Sequence, residues 1–238
     1  MTNYSRPLVL NKNRILAALP VNEYNVLAHG LEHLNLSYGK VLYDFGDELR
    51  YAYFLNNGMG SLLSVTEKGA VIEVGMVGNE GMLGLPIIMG MQVMPYRVTM
   101  QVAGTGVRVR AELVKQVFDQ NGVLYRSLLR YTYTLLAQIT QSAICNHFHT
   151  VEERLCRWLL TTRDRTRFDR FRLTHEMLSQ MLGARRQGVT EVANTLRKAG
   201  LINYVRGEIT LLNLSGLRDR SCECYEAVRE AHNQAYVA

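Results

Sequence analysis

The sequence of 238 residues contains no long uninterrupted hydrophobic run, which argues against a membrane-spanning helix. Such a helix needs about 18 to 20 apolar residues, and Lys68, Glu73, Glu80 and Arg97 interrupt the most hydrophobic stretch. Residues 1–14 also lack the apolar core of a signal peptide. With 47% hydrophobic residues, the composition predicts a soluble globular protein in the cytoplasm.

Cysteine is scarce: Cys145, Cys156, Cys222 and Cys224 all lie in the second half of the chain. Their number and placement suit reduced thiols better than a disulfide framework. Cys145 and His149 share a helical spacing of four that is compatible with metal or haem ligation, and Cys222 and Cys224 are compatible with redox chemistry. Because such pairs are more often ordinary structural residues, the sequence predicts no metal site and no cofactor.

Motifs of common enzyme classes are missing. The sequence has no nucleophile elbow, no phosphate loop of the Gly-x-x-x-x-Gly-Lys type and no zinc-protease motif. We therefore predict no catalytic residues and no enzymatic activity.

Positive charge, by contrast, is concentrated in one segment. Residues 151–206 contain twelve basic and six acidic side chains, a difference of +6 that equals the net charge of the whole chain. A basic block on an otherwise neutral chain favours a polyphosphate partner.

Glycine spacing divides the chain into regions of different secondary structure. A short helix is expected at residues 22–29, and short apolar runs separated by glycines predict an antiparallel sandwich or barrel over residues 35–111. Glycine is then absent between Gly122 and Gly183, and apolar residues recur at spacings of four and three. This pattern predicts one long helix over residues 121–149.

The long helix is expected to form a parallel homodimer, because a single small barrel cannot cover its apolar surface. The predicted dimer contacts are Leu124, Leu128, Tyr131, Leu135 and Ile139. The alternative is a helix packed wholly inside its own subunit.

The last part of the chain has the pattern of a winged helix-turn-helix. We predict a helix over residues 151–162, a loop over 163–172, two short helices around a glycine turn over 173–202, and a hairpin over 203–212 with Gly207 at its turn. Thr174 is a natural N-cap for the first of the two short helices.

A barrel, a long helix and a winged helix-turn-helix in this order resemble the Crp/Fnr family of bacterial transcription regulators. The resemblance is strongest over residues 173–212 and also includes residues 121–160. It implies an α+β fold with an N-terminal antiparallel, jelly-roll-like β-barrel (residues 1–120), a long central dimerisation helix (121–150) and a C-terminal winged helix-turn-helix (151–238). The partners it implies are double-stranded DNA with an inverted-repeat site, a second copy of the chain, RNA polymerase and an unidentified small-molecule effector.

By this resemblance, the recognition helix begins near Arg185 and lies in the major groove of DNA. Arginine there suits guanine, and Gln187 suits adenine, because each base edge offers two matching hydrogen-bonding groups. Other residues are candidates for positioning on phosphates. The predicted DNA-binding residues are Thr174, Arg185, Arg186, Gln187, Thr190, Asn194, Arg197, Lys198 and Arg206.

The resemblance also locates the family's cyclic-nucleotide cassette, which departs here from the usual pattern. Met82 stands where relatives have the ribose-binding glutamate, and Val98 stands at the Ser/Thr position, while Arg97 is retained. A ribose hydroxyl left unpaired in a desolvated site would cost about 1 to 3 kcal/mol. The expected effector pocket comprises Gly81, Met82, Leu83, Gly84, Arg97, Val98, Thr99, Ile139 and Thr140.

Cyclic AMP is therefore not the expected effector. Arg97 is expected either to pair with Glu80 or Glu73, which would hold the barrel in one state, or to receive another anion. The amino-terminal region has no cysteine, so the iron–sulfur site of oxygen-sensing relatives is excluded there. The sequence favours a homodimeric DNA-binding regulator, and the alternative is an effector-binding module that acts on a protein partner without binding DNA.

Overall fold

Two antiparallel sheets form the first half of the structure, which is a computed structural model and describes residues 12–237. The strands are β1 (Glu32–Leu36), β2 (Val41–Tyr43), β3 (Tyr51–Leu55), β4 (Met59–Val65), β5 (Val71–Val77), β6 (Arg97–Val102) and β7 (Gly104–Arg110). Their order is β1-β7-β3 in one sheet and β2-β6-β4-β5 in the other. The predicted antiparallel architecture is confirmed for the described residues, and residues 1–11 of the predicted first region lie outside them.

The two sheets share one hydrophobic core. Along β7, Val107 and Val109 are buried, whereas the intervening Arg108 points away from the core and pairs with Glu32. This alternation follows from the two-residue period of a strand. Phe54 lies opposite Val107 in the first sheet, and it belongs to the same buried cluster as residues of the second sheet.

Short helices lie before, between and after the strands. They are α1 (Arg14–Ala17), α2 (Val21–Ala28), α3 (Ala111–Phe118) and a 3₁₀ helix at Leu85–Met89, and the long helix α4 (Val123–Phe148) follows. Glu23 of α2 is buried and accepts hydrogen bonds from the backbone N–H groups of Val123 and Leu124, both at 2.7 Å. It thereby satisfies donors that the first turn of a helix leaves without intrahelical partners.

The long helix turns its predicted dimer stripe towards its own subunit. Leu124, Leu128, Tyr131 and Leu135 are buried in the sheet core, and Ile139 packs against that core while partly exposed. The prediction that Leu124, Leu128, Tyr131 and Leu135 contact a second copy is therefore wrong, because the sheets of the same chain already cover them. The same prediction for partly exposed Ile139 stays a prediction. The neighbouring stripe is exposed and consists of Leu129, Tyr133, Leu136, Ile144 and Phe148.

The last third of the described chain contains the predicted helix-turn-helix and wing. Its elements are α5 (Val151–Thr166), β8 (Arg170–Arg172), α6 (His175–Leu182), α7 (Arg186–Lys198), β9 (Ile202–Val205), β10 (Glu208–Leu211), α8 (Leu214–Asp219) and α9 (Cys224–Val237). A capping box starts α5: Thr150 accepts from the N–H of Glu153, and Glu153 accepts from the N–H of Thr150.

The predicted loop over residues 163–172 is partly wrong. The helix α5 continues to Thr166, where Arg165 forms an ion pair of 2.9 Å with Glu80 of the sheet region. Residues 170–172 form a strand that pairs with β10, and Phe171 is buried. Contacts distant in sequence stabilise both segments, so a local polar pattern underestimates their order.

A buried hydrogen-bond cluster joins α5 to the second sheet. Glu73 of β5 accepts hydrogen bonds from Trp158 Nε1 at 2.8 Å and from the hydroxyl of Ser61. Burial raises the pKa of Glu73 to about 7, although both hydrogen bonds and the charges of Arg157 and Arg165 act in the opposite direction. The cluster fixes α5 against the second sheet.

No helix in the part of the chain covering residues 12–237 is both long and apolar enough to cross a membrane.

Candidate nucleic-acid interface

The helices α6 and α7 are connected by a tight turn. Thr174 caps α6 by accepting a hydrogen bond from the N–H of Met177 at 3.2 Å, as its predicted N-cap role requires. Gly183 ends α6 in the left-handed region, with φ at 56°, and the N–H of Ala184 returns to the carbonyl of Ser179. Since glycine adopts positive φ without a Cβ penalty, the chain can reverse here and begin α7 after Arg185.

The inner faces of α6 and α7 pack together and define which face of α7 points outwards. Leu178, Leu182, Val189, Ala193 and Leu196 are buried. They recur at helical spacing, so the residues between them lie on the opposite side of α7. The outer face of this helix is therefore polar.

The first turn and outer face of α7 and the tip of the wing carry exposed cations. Arg185, Arg186, Arg197, Lys198 and Arg206 are all exposed. Within residues 12–237, none of the five forms an ion pair with the rest of the chain. These charges are available to an anionic partner.

Two of the predicted polar contacts are already engaged within the chain. Gln187 is exposed and donates a hydrogen bond to Glu191 at 3.0 Å. Thr190 is half-buried, and its hydroxyl lies 2.9 Å from His175 Nδ1 and 2.9 Å from the carbonyl oxygen of Arg186. Asn194, one turn further along α7, is exposed. Gln187 must exchange a surface hydrogen bond in order to contact a base, whereas Thr190 serves the packing of α7.

His175 is a positioning residue that the sequence pattern did not indicate. Its ring stacks on Tyr204 of the wing at a centroid distance of 4.6 Å and an interplanar angle of 15°. The hydroxyl of Tyr204 in turn donates to the carbonyl of Leu173 at 2.9 Å. Burial, and secondarily the charge of Arg186, lowers the pKa of His175. His175 thus joins α6, α7 and the wing; its position directly after an N-cap threonine was the available sequence signal.

The wing is a tight hairpin with Arg206 at its tip. Arg206 and Gly207 both have positive φ, 50° and 77°, as a two-residue type I′ turn requires. The strand β10 pairs with both β9 and β8, so the predicted two-stranded hairpin is the end of a three-stranded sheet. The turn places an exposed guanidinium beyond the end of this sheet.

The expected effector residues do not surround a common cavity with a free arginine. Met82, Leu83 and Val98 are buried in the sheet core, whereas Thr140 is exposed on α4. Leu83 also exchanges backbone hydrogen bonds with Tyr53, which fixes this segment against β3. The structure therefore places the apolar members of the predicted pocket in packed core positions.

Arg97 pairs with Asp44, and the predicted pairing with Glu80 or Glu73 is wrong. The two nitrogen–oxygen distances are 3.0 and 2.7 Å, and about 40% of each side chain is exposed. Glu80 instead forms an ion pair with Arg165, and Glu73 accepts a hydrogen bond from Trp158.

A cavity of about 270 Å³ lies away from Arg97, between the sheet region, α5 and α9. Its lining includes Arg14, Glu80, Asp164, Arg165, Tyr225 and His232.

Two antiparallel sheets, a long helix and a winged helix-turn-helix with an exposed cationic face together define the fold class of this chain. Residues 153–220 match the model of the Crp-like helix-turn-helix domain. The described chain as a whole has the fold of the Crp/Fnr regulators, as the sequence resemblance predicts.

Solved structures with this fold are distant in sequence. FixK2 from Bradyrhizobium japonicum is 14% identical, with a TM-score of 0.69 over 81% of this chain and 98% of FixK2. A Crp/Fnr-family regulator described as putative from Eubacterium rectale is 17% identical, with a TM-score of 0.67 over 88% of this chain and 98% of that one. The c-di-GMP-responsive regulator CLP from Xanthomonas campestris is 15% identical, with a TM-score of 0.65 over 82% of this chain and all of CLP. No curated protein sequence matches this chain significantly.

Proposed function

We propose that this protein is a homodimeric, sequence-specific DNA-binding transcription regulator that acts in the cytoplasm without catalysing a reaction. The observation that carries the proposal is the set of exposed cations on α7 and the wing, which have no ion-pair partner among the described residues. A helix of this length and polarity fits the major groove, and the phosphate backbone supplies the missing counter-charges. RNA polymerase follows as a further partner from the family resemblance alone.

The residues of the interface have different roles in this proposal. Arg185, Arg186 and Gln187 begin α7 and read base edges, because the first turn of a recognition helix projects into the groove. Asn194, Arg197, Lys198 and Arg206 contact phosphates together with the hydroxyls of Thr174 and Thr190. Thr174 and Thr190 act mainly by holding α6 and α7 in place.

The second copy of the chain is proposed to pack on the exposed stripe of α4. Leu129, Tyr133 and Leu136 recur at spacings of four and three, and Ile144 and Phe148 extend the apolar surface to the end of the helix. Leu136 is 61% exposed and Phe148 is 74% exposed, which is unfavourable for a helix surrounded by water. A parallel pair of α4 helices covers this stripe and presents two recognition helices to half-sites about one DNA turn apart.

The sheet region is proposed not to respond to cyclic AMP. Met82 and Val98 are buried, and their side chains offer no strong hydrogen-bonding group. The retained Arg97 already forms an ion pair with Asp44. An exposed ion pair contributes at most about 1 kcal/mol, so it does not by itself lock one conformation. The sheet region therefore either has no effector or recognises another ligand.

Gel-shift titrations on a DNA site selected from a random pool test the DNA-binding proposal. We expect Arg186→Ala to reduce specific binding by about 1 to 3 kcal/mol and to relax preference at one base position. Lys198→Ala should weaken specific and random DNA alike and reduce the salt dependence by about one phosphate contact.

Lys40→Ala is the matched control for charge, because Lys40 is also exposed but lies in the loop between β1 and β2. It should bind DNA like the unaltered protein. Equal losses for Arg186→Ala on specific and random DNA would contradict the assigned roles, and the absence of DNA binding at low salt would reject the function.

A further inference from the structure

Three cysteines and one histidine from separate parts of the chain meet at the end of α4. This Cys3His cluster consists of Cys145, His149, Cys222 and Cys224. Its four possible ligand atoms all lie within 4.8 Å of one another, and its three cysteines are buried. The first two residues belong to the carboxyl end of α4, and the other two lie between α8 and the first turn of α9.

The distances within the cluster fit a tetrahedral metal site. The sulfur atoms of Cys145 and Cys222 are 3.5 Å apart, and Cys224 Sγ is 3.4 Å from His149 Nδ1. Zinc bonds of about 2.3 Å to sulfur and about 2.0 to 2.1 Å to nitrogen correspond to tetrahedral separations of about 3.8 Å between sulfurs and about 3.6 Å between sulfur and nitrogen. Small side-chain movements therefore suffice to coordinate an ion.

Neighbouring polar groups support ligation by orienting the cluster. His149 presents Nδ1 to the thiols, while its Nε2 lies 3.2 Å from the carboxylate of Glu223. A carboxylate on the second ring nitrogen is the usual way in which proteins orient a metal-binding histidine. Gln141 Nε2 donates to Cys224 Sγ at 3.1 Å, as outer hydrogen bonds to coordinating sulfur do.

The charge around the cluster also suits thiolate ligands. Arg157 lies near enough to Cys145 for its positive charge to act on that thiol. Arg157 is buried, and its Nε has no hydrogen-bond partner in the described part of the chain. Three thiolates and a divalent ion leave one net negative charge, which a nearby guanidinium stabilises.

We propose that the Cys3His cluster is a structural binding site for a zinc-class divalent ion. Four protein ligands complete a tetrahedral shell and leave no open position for substrate, which is typical of structural rather than catalytic sites. The ion fastens the start of α9 to the last turn of α4, immediately before the chain enters α5 at Thr150. The site does not depend on the proposed DNA binding.

Metal analysis of the full-length protein, purified in a thiol-free reductant, tests the site. We expect about one zinc per chain by elemental analysis. After chelation, Co²⁺ should restore one equivalent of thiolate-to-cobalt absorption, which Zn²⁺ then displaces. Cys222→Ser and Cys224→Ser should lose this absorption, and Glu223→Ala should lower Co²⁺ affinity about 10- to 100-fold.

Cys156→Ser is the matched control, because Cys156 is a buried cysteine outside the cluster. It should retain the zinc and the cobalt spectrum. Should the cluster variants fail to fold, alkylation of the unaltered protein replaces them: Zn²⁺ should slow the modification of Cys145, Cys222 and Cys224.

Three results would overturn the proposal. They are clearly substoichiometric zinc with no thiolate-to-cobalt absorption, iron accompanied by inorganic sulfide in place of zinc, and a Cys145–Cys222 disulfide in a protein that binds neither Zn²⁺ nor Co²⁺.

Discussion

Replacing Glu73 with glutamine should remove a large part of the pH dependence of stability. The folded chain holds the Glu73 proton up to a pKa of about 7, against an ordinary value of 4.5, because burial penalises the carboxylate. Between pH 4.5 and about pH 7, the folded state binds more protons than the unfolded state. The free energy of unfolding therefore falls as the pH rises through this window and levels off above it.

The magnitude follows from the width of the window. One pKa unit corresponds to 1.36 kcal/mol, so a rise from 4.5 to about 7 represents about 3 kcal/mol lost by pH 8. Glutamine retains an oxygen that can accept from Trp158 Nε1 and has no charge to desolvate. We expect Glu73→Gln to match the unaltered protein near pH 5 and to exceed its stability by about 2 to 3 kcal/mol at pH 8.

Urea unfolding at fixed protein concentration and at pH 5, 6, 7 and 8 measures this difference. Glu67→Gln is the control, because Glu67 is exposed in the turn between β4 and β5 and loses the same charge. It should follow the pH profile of the unaltered protein. Parallel profiles for Glu73→Gln and the unaltered protein would refute the reasoning from burial.

Three further predictions concern the dimer, the effector and a helix cap. Leu136→Glu should yield a folded monomer by sedimentation, while Val21→Glu, the control at another exposed apolar position, stays dimeric; Leu128→Ala should instead lower stability by about 2 to 5 kcal/mol. A folded dimer with Leu136→Glu would reject the stripe. Calorimetry should detect no binding of cyclic AMP or cyclic GMP, and micromolar binding abolished by Arg97→Ala would show a working nucleotide pocket. Thr150→Ala should lower stability by about 1 kcal/mol through loss of the capping box, and an unchanged thermal midpoint would contradict this.

Local sequence patterns were sufficient for the elements whose formation depends on near neighbours. The uninterrupted periodicity after Gly122 predicted α4 to within two residues, and Thr174, Gly183 and Gly207 marked a helix start, a helix end and a hairpin turn that the structure contains. Each of these signals acts through backbone geometry or a hydrogen bond within a few residues, so it can be identified without knowledge of the rest of the chain.

Tertiary structure decided the features that depend on distant residues. The periodicity of the sequence identified α4 but not the face of α4 that packs on the sheets. Leu128 and Leu136 belong to two apolar stripes of similar character, and only the position of the sheets decides that the stripe with Leu128 is buried. The partner of Arg97 and the strand around Phe171 were likewise determined by segments far along the chain.

The Cys3His cluster shows most clearly that local sequence patterns do not reveal contacts between distant residues. Cys145 and Cys222 are 77 residues apart and belong to two pairs that are each unremarkable in the sequence. Only the packing of α9 against α4 brings the pairs together. A binding site depends on the distances between its atoms, and when its residues come from separate segments, the folding of the whole chain sets those distances.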